Sequence, residues 1–398
     1  MILDRGEVIV VGGGIVGTTT AWFLAERGVD VVLVEQEDLA YGASGRNMGF
    51  LVISNRCSGI ELDFALHGRS LYEGFSEQLG NTFEYRSSGG LAFFNDEADA
   101  ALFREFAEER RSVGLTTDYL EPSEVREVAP ILTGDVVGGV FCAEDGMIRT
   151  PKFVAALGAE CARRGVRIHT QTTATRLKRG ADGKVIGVET TRGQVLGDRV
   201  VWAAGVWSKL LADEGIEINM EIERLGALLT TPIAETVDPV LYGPSIATMY
   251  RHFRTLSSFE STYADRQELL SGKFTQNINQ IDGGNLMLGC PMDYPNSFED
   301  HPPVDGLMRA LNEFRRSCPD LKVGIERVWA GLVPSVKDGL PIIGDIKEAP
   351  GLLIATGHEH GNVAGPATGE LIAQLVTGEE SSFDVERFSP YREGLIAA

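Results

Sequence analysis

The stretch "VIVVGGGIVG", Val8 to Gly17, constrains this chain more than any other. An apolar, β-branched run leads straight into a G-x-G-x-x-G turn and then into a helical pattern. That order describes a buried parallel strand feeding a helix across a turn that cradles a dinucleotide pyrophosphate. Gly12 permits the tight turn, Gly14 lets the backbone approach the phosphates, and Gly17 lets the helix pack on the strand. Ile15 and Val16 open the helix, where free N–H groups and the positive dipole end favour an anion. The helix stops at Gly28, and "VDVVLVE" supplies a second strand ending on Glu35, followed by Gln36. Glu35 lies 18 residues beyond Gly17, close to the spacing of about 20 for an acid on a ribose hydroxyl. An acid there disfavours a 2′-phosphate, so NADP is not expected, while NAD and FAD both remain open.

The remainder of the chain breaks the βαβ rhythm. Helical patterns recur near 60–80, 96–114, 150–164, 205–214, 302–317 and 362–377. Thr150 is expected to cap its helix, with Pro151 in the first position and Gly165 at the end. Strands are expected at 184–190 and 194–203, joined by "TRG". The segments 86–94, 134–142, 222–232 and 274–290 are β-rich and suggest a second lobe on an antiparallel sheet.

Charge and cysteine usage narrow the function. With 36 Lys and Arg against 57 Asp and Glu, the net charge is −21. This disfavours nucleic acid and anionic membranes, which both select a cationic face. The five cysteines (Cys57, Cys142, Cys161, Cys290, Cys318) form no C-x-x-C pair, so neither a disulfide framework nor a zinc site is expected. No H-x-x-x-H pattern or carboxylate cluster suggests another metal. No apolar run is long enough to span a bilayer, and no secretory signal opens the chain. The expected location is the cytoplasm.

Three later stretches favour the larger cofactor. "YGASGRNMGF" (41–50) can wrap a ligand and donate from Ser44, Arg46 and Asn47. "DRVVWAAGVWS" (198–208) brings a strand into the small residues Ala203, Ala204 and Gly205. "DGLPIIG…GLLIATGHEHGNVAGPATGELIAQLV" (338–376) ends a strand at Gly357 and starts a helix near Asn362.

With "GASGRNMGF", "VVWAAG", "RVWAGLVPSVKDGLPIIG" and "GHEHGNVAGPATGELIA" added to the glycine turn, nearly the whole chain resembles the D-amino-acid-oxidase-like flavoenzyme superfamily. The resemblance implies an α/β fold with an α+β second lobe. A Rossmann-type FAD-binding domain (1–85, 145–220 and 325–398) would carry a discontinuous antiparallel-sheet substrate domain (86–144 and 221–324). It implies FAD, with Ala43 to Met48 on the phosphate and flavin side, Ala174 at the adenine, and Ala203 to Gly205 near the ribose. Trp207, Val333 and His358 would join the cofactor wall, and Gly361, Asn362 and Val363 would offer N–H groups to the flavin pyrimidine. A covalent tether is not expected, because "VWAGLVPSVKDG" holds no cysteine and the first loop no histidine.

The resemblance further implies oxidation of a C–N bond by hydride transfer to flavin N5, giving an imine that water hydrolyses. Amino-acid relatives anchor the substrate carboxylate with an arginine in "AGLRP"; here the stretch reads "AGLVP", with Val333. His360 stands where glycine-oxidase-like proteins carry another arginine, and Gln280 is nearest to a third. Arg46, Arg251 and Arg254 are the remaining candidates for an anionic handle. Met48, Tyr250, His252, Gln280, His358 and His360 are the candidate substrate-side residues, with Tyr250 and His252 expected to share one face of a strand. The alternatives are a flavin-dependent hydroxy-acid or alcohol dehydrogenase, and a flavin-bearing subunit of a hetero-oligomer. The expected partners are a small amine or amino-acid-like substrate, oxygen or another electron acceptor, and a homo- or hetero-oligomeric neighbour.

Overall fold

The computed structural model describes residues 1–271 and 273–396. Its centre is a six-stranded sheet in the order Ile342–Asp345, Leu352–Thr356, Arg199–Trp202, Val8–Val11, Val31–Val34, Arg167–His169. All neighbours are parallel except the first pair. The strands Val8–Val11 and Val31–Val34 are buried along their whole length, which explains their unbroken apolar sequences: both faces are covered. Val8, Val10, Val31 and Leu33 pack under the helices Ile15–Glu26, Ile60–Leu79, Thr150–Arg163 and Gly361–Thr377. Ile9, Val11, Val32 and Val34 face the opposite way, toward Leu177, Val188 and Val195 of a small four-stranded sheet.

The second lobe is an eight-stranded sheet in the order Ile325–Ser335, Glu221–Pro232, Asn285–Asp293, Phe274–Gln280, Val240–Tyr242, Gly90–Phe94, Gly138–Cys142, Thr117–Leu120. Every neighbour is antiparallel except Val240–Tyr242 on Gly90–Phe94. The expected lobe boundary at 325 therefore moves: Ile325–Ser335 pairs with Glu221–Pro232 over its length and belongs to this sheet.

Three local expectations are corrected. The strand expected over 194–203 is two strands in two different sheets, Gly193–Leu196 and Arg199–Trp202, with Gly197 and Asp198 turning between them. Thr150 is the first residue of its helix and caps nothing; Arg149 occupies the cap position. Tyr250 joins two short helical turns, Ile246–Met249 and Arg251–Thr255, and His252 lies in the second; neither is on a strand. Among the described residues no helix is long and apolar enough to cross a membrane.

Candidate active site

A single cavity of about 1050 Å³ runs from the glycine turn to the wall of the second lobe. At the turn, Gly12 has φ of +113° and its α-carbon lies against Ala203; a Cβ there would meet the Ala203 carbonyl. Gly17 does not line the cavity. A Cβ on it would strike the carbonyl oxygen of Gly12 at 1.9 Å, so its glycine serves helix–strand packing. Glu35 is buried at the cavity wall, where its Oε2 accepts from the N–H of Gly13 at 2.6 Å and its Oε1 from that of Glu37 at 2.9 Å. Burial pushes its carboxyl upward, and the backbone bonds pull the other way.

The loop after Glu35 closes over the helix start. Ser44 Oγ accepts the N–H of Ile15 at 2.9 Å. Asn47 is spent on the loop itself: its amide donates to the carbonyls of Ala43 and Ser44, and its oxygen accepts the N–H of Gly49. Thr150 Oγ lies 2.8 Å from Asn47 Oδ1 and 3.0 Å from Asn362 Oδ1, joining this loop to the last helix. Arg46 lines the cavity, but its guanidinium is held by Asp300 at 3.1 Å and stacks on Tyr41. Gln36, Ala43, Ala174, Ala203, Ala204, Gly205 and Trp207 complete this end.

The far end is built by the second sheet and the turn 357–361. Met48, Tyr250, Val333, His358, His360 and Val363 all line it. The Thr368 hydroxyl gives its one proton to Ala364 O, so His358 Nε2, 2.8 Å from Thr368 Oγ, is the protonated nitrogen and Nδ1 is bare. Burial pushes His358 down to about 3, which keeps it neutral. His360 stacks on Tyr250 with ring centres 6.0 Å apart. The last helix begins at Gly361, and its first two N–H groups have no acceptor among the described residues.

Residues 7–375 match the family described as DAO, FAD dependent oxidoreductase. The chain belongs to this family. It is 26% identical over 392 residues to the glycine oxidase of Bacillus subtilis, covering 95% of each chain. It is also 26% identical to the sarcosine oxidase subunit beta of Rhodobacter capsulatus, over 96% of this chain and 89% of that one. Among solved structures, glycine oxidase from Geobacillus kaustophilus superimposes with a TM-score of 0.84 at 23% identity, covering 98% and 99% of the two chains. The DAO fold is thus shared well beyond the glycine turn.

The residues fit the family's FAD. Two helix N-termini, at Gly14 and Gly361, open into one cavity, so two positive dipole ends face a single ligand. A Cβ at Gly14 would lie 3.0 Å from Ser44 Oγ and fill the cradle between them.

Two expected substrate-side residues are elsewhere. Gln280 lies on the far face of its strand, donating to Glu235 O and Gly284 O and accepting from Val237 N. Along Phe274–Gln280 the odd positions Thr275 and Asn277 line the cavity and the even positions turn away, so parity excludes Gln280. His252 is buried outside the cavity, with Nε2 2.9 Å from Glu109 and Nδ1 accepting from Arg110. Arg251 and Arg254 also lie outside it, held by Glu61 and by Thr248 O respectively.

Two acids went unremarked in the sequence. Glu223 is buried and lines the far end, with the Tyr294 hydroxyl 3.3 Å from its Oε1. Glu359, between the two histidines of "GHEHG", lines it as well, 3.9 Å from His360 Nε2. Burial raises both carboxyls, and the charge of Glu359 adds to the rise at Glu223.

Proposed function

We propose that the protein oxidises a C–N bond of an amine or amino acid, using non-covalently held FAD. The observation that carries this reading is the continuity of one cavity between the glycine turn and an end lined by apolar, aromatic and acidic side chains. FAD, when bound, supplies a two-electron acceptor for the hydride that leaves the carbon beside nitrogen. Gly12, Gly14 and Val16 would hold its pyrophosphate and Glu35 its ribose. Gly361 and Asn362 would offer N–H groups to its electron-rich ring.

The chain's own residues then bind, orient and dry the substrate. Met48 and Val333 are buried at the cavity wall and exclude water. Tyr250 and His360 offer a stacked aromatic surface. The amine reacts as the neutral base, whose lone pair expels the hydride; the imine is then hydrolysed by water to a carbonyl compound and the released amine. His358 is held neutral by burial and is too weakly basic to take the amine proton at ordinary pH. Cys290, the cysteine that lines the cavity, has its thiol pushed up to about 12 by burial and packs on Met48. A thiol of that kind makes a poor tether.

The relatives' names agree with C–N chemistry: glycine oxidase, sarcosine oxidase subunit beta, and dimethylglycine dehydrogenase of Mus musculus. A fold neighbour titled L-alpha-glycerophosphate oxidase, from Mycoplasma pneumoniae, acts on an oxygen-bearing carbon. A phosphate handle would require cations where this cavity has Glu223 and Glu359.

The test is a visible absorption spectrum of the purified protein, repeated anaerobically with amines, amino acids and hydroxy acids. A flavin band bleached by an amine or amino acid supports the reading. Bleaching by hydroxy acids alone, or a protein that FAD cannot reconstitute, overturns it. Release of the flavin on acid denaturation checks that it is not covalently attached.

A further inference from the structure

The far end of the cavity has an unusual charge balance. Two carboxylates, Glu223 and Glu359, line it; of the arginines on the cavity, Arg46 belongs to the loop after Glu35 and is already paired with Asp300, and Arg176 lies on the strand that carries Ala174. Among the described residues no Lys or Arg lies within 4.0 Å of either acid. Glu223 is 5% exposed and receives one protein hydrogen bond, from Tyr294. Glu359 is more open, 29% of its side chain being accessible. A buried carboxylate without a cationic partner is costly unless something else supplies the countercharge.

The surrounding groups do not supply it. Glu221 and Lys273 act on Glu223 from a distance, and the Lys273 ammonium sits over the Tyr294 ring, 4.6 Å from its centre. Arg56 and Arg251 act on Glu359, but each is ion-paired to Glu61 at 3.3 Å. Arg56 also stacks behind Tyr250 at 5.3 Å. The rings of Tyr250, Tyr294 and His360 line the same end, and aromatic faces attract ammonium groups.

We propose that Glu223 and Glu359 bind a second cationic nitrogen of the substrate, so that the protein acts on diamines or amines bearing an ammonium group rather than on simple α-amino acids. This rests on the C–N oxidation reading and adds its substrate class. The acids take the place of the carboxylate anchor that Val333 and His360 do not provide. One nitrogen, neutral, carries the reacting carbon; the other, charged, is held at the acid pair.

The holoenzyme is titrated with tetramethylammonium, a cation that cannot be oxidised by this route, and binding is read by calorimetry. Anaerobic flavin bleaching is then compared for 1,4-diaminobutane, 1-aminobutane and glycine. Glu223→Gln and Glu359→Gln are measured alongside, with thermal unfolding as the check on folding. The expected result is tetramethylammonium binding weakened about tenfold or more in either variant, with diaminobutane bleaching the parent at lower concentration than aminobutane or glycine. If Glu223→Gln does not fold, Glu359→Gln alone decides the matter. Absence of tetramethylammonium binding, or binding unchanged in the folded variants, overturns the proposal. Bleaching by glycine in preference to diaminobutane overturns it too, and leaves the C–N reading standing. Bleaching by hydroxy acids alone removes both.

Discussion

Val333 stands directly opposite Glu223 in the pairing of Ile325–Ser335 with Glu221–Pro232, and both side chains reach the cavity. Paired residues of antiparallel strands share one face of the sheet. A guanidinium at position 333 would therefore meet Glu223. Val333→Arg is expected to weaken cation binding by about tenfold or more through occupation of Glu223. KM values for ammonium-bearing and carboxylate-bearing substrates, measured on the same preparation, check this: the first should rise.

Gly14→Ala tests the cofactor cradle. The added Cβ would lie 3.0 Å from Ser44 Oγ, crowding the helix start where the phosphates would meet N–H groups. The expected outcome is a folded protein with FAD affinity lowered by roughly tenfold or more. Flavin content after dialysis, together with a smaller rise in Tm on adding FAD, reports it.

His358 predicts a pH dependence of stability. Its folded value, pushed down to about 3 by burial, lies below its unfolded value of 6.5. The unfolded chain therefore binds more protons between these limits, and stability falls as pH drops through that window. At pH 5 the expected loss from this one histidine is about 2 kcal/mol relative to neutral pH. Denaturant unfolding of the parent and of His358→Asn at pH 7 and about pH 5 should show a smaller loss in the variant. Equal losses would contradict the assignment.

Asn47→Ala removes a side chain that bonds to Ala43 O, Ser44 O and Gly49 N and meets Thr150 and Asn362. Buried groups left without partners cost about 1–3 kcal/mol. A lowered Tm accompanied by weaker FAD retention is expected, because the loop it organises also carries Ser44.

The legibility of the sequence tracks how local each constraint is. Gly12, Gly14 and Glu35 were readable because a turn, a strand and an acid at fixed spacing encode backbone geometry within thirty residues. Glu223 was not, because its place in the cavity depends on strand register set by residues more than a hundred positions away. Gln280 failed by one residue of parity: Asn279 donates to Met48 O, while Gln280 faces the other way. His252 and Tyr250 were read as a strand where Tyr250 joins two short helical turns and His252 lies inside the second, sending His252 into the core and Tyr250 to the cavity.

The order of strands has a consequence for how the molecule comes into being. The chain passes between the two large sheets four times, and the strands Ile342–Asp345 and Leu352–Thr356 finish the parallel sheet. Leu352–Thr356 is the neighbour that Arg199–Trp202 lacks until then. During synthesis the glycine turn emerges some 350 residues before the helix end at Gly361 that shares its cavity. Long-range parallel pairing of this kind is slow. The nascent chain can therefore have no complete cofactor site to fill until Gly361 has been made, and capture of the cofactor waits on that helix end.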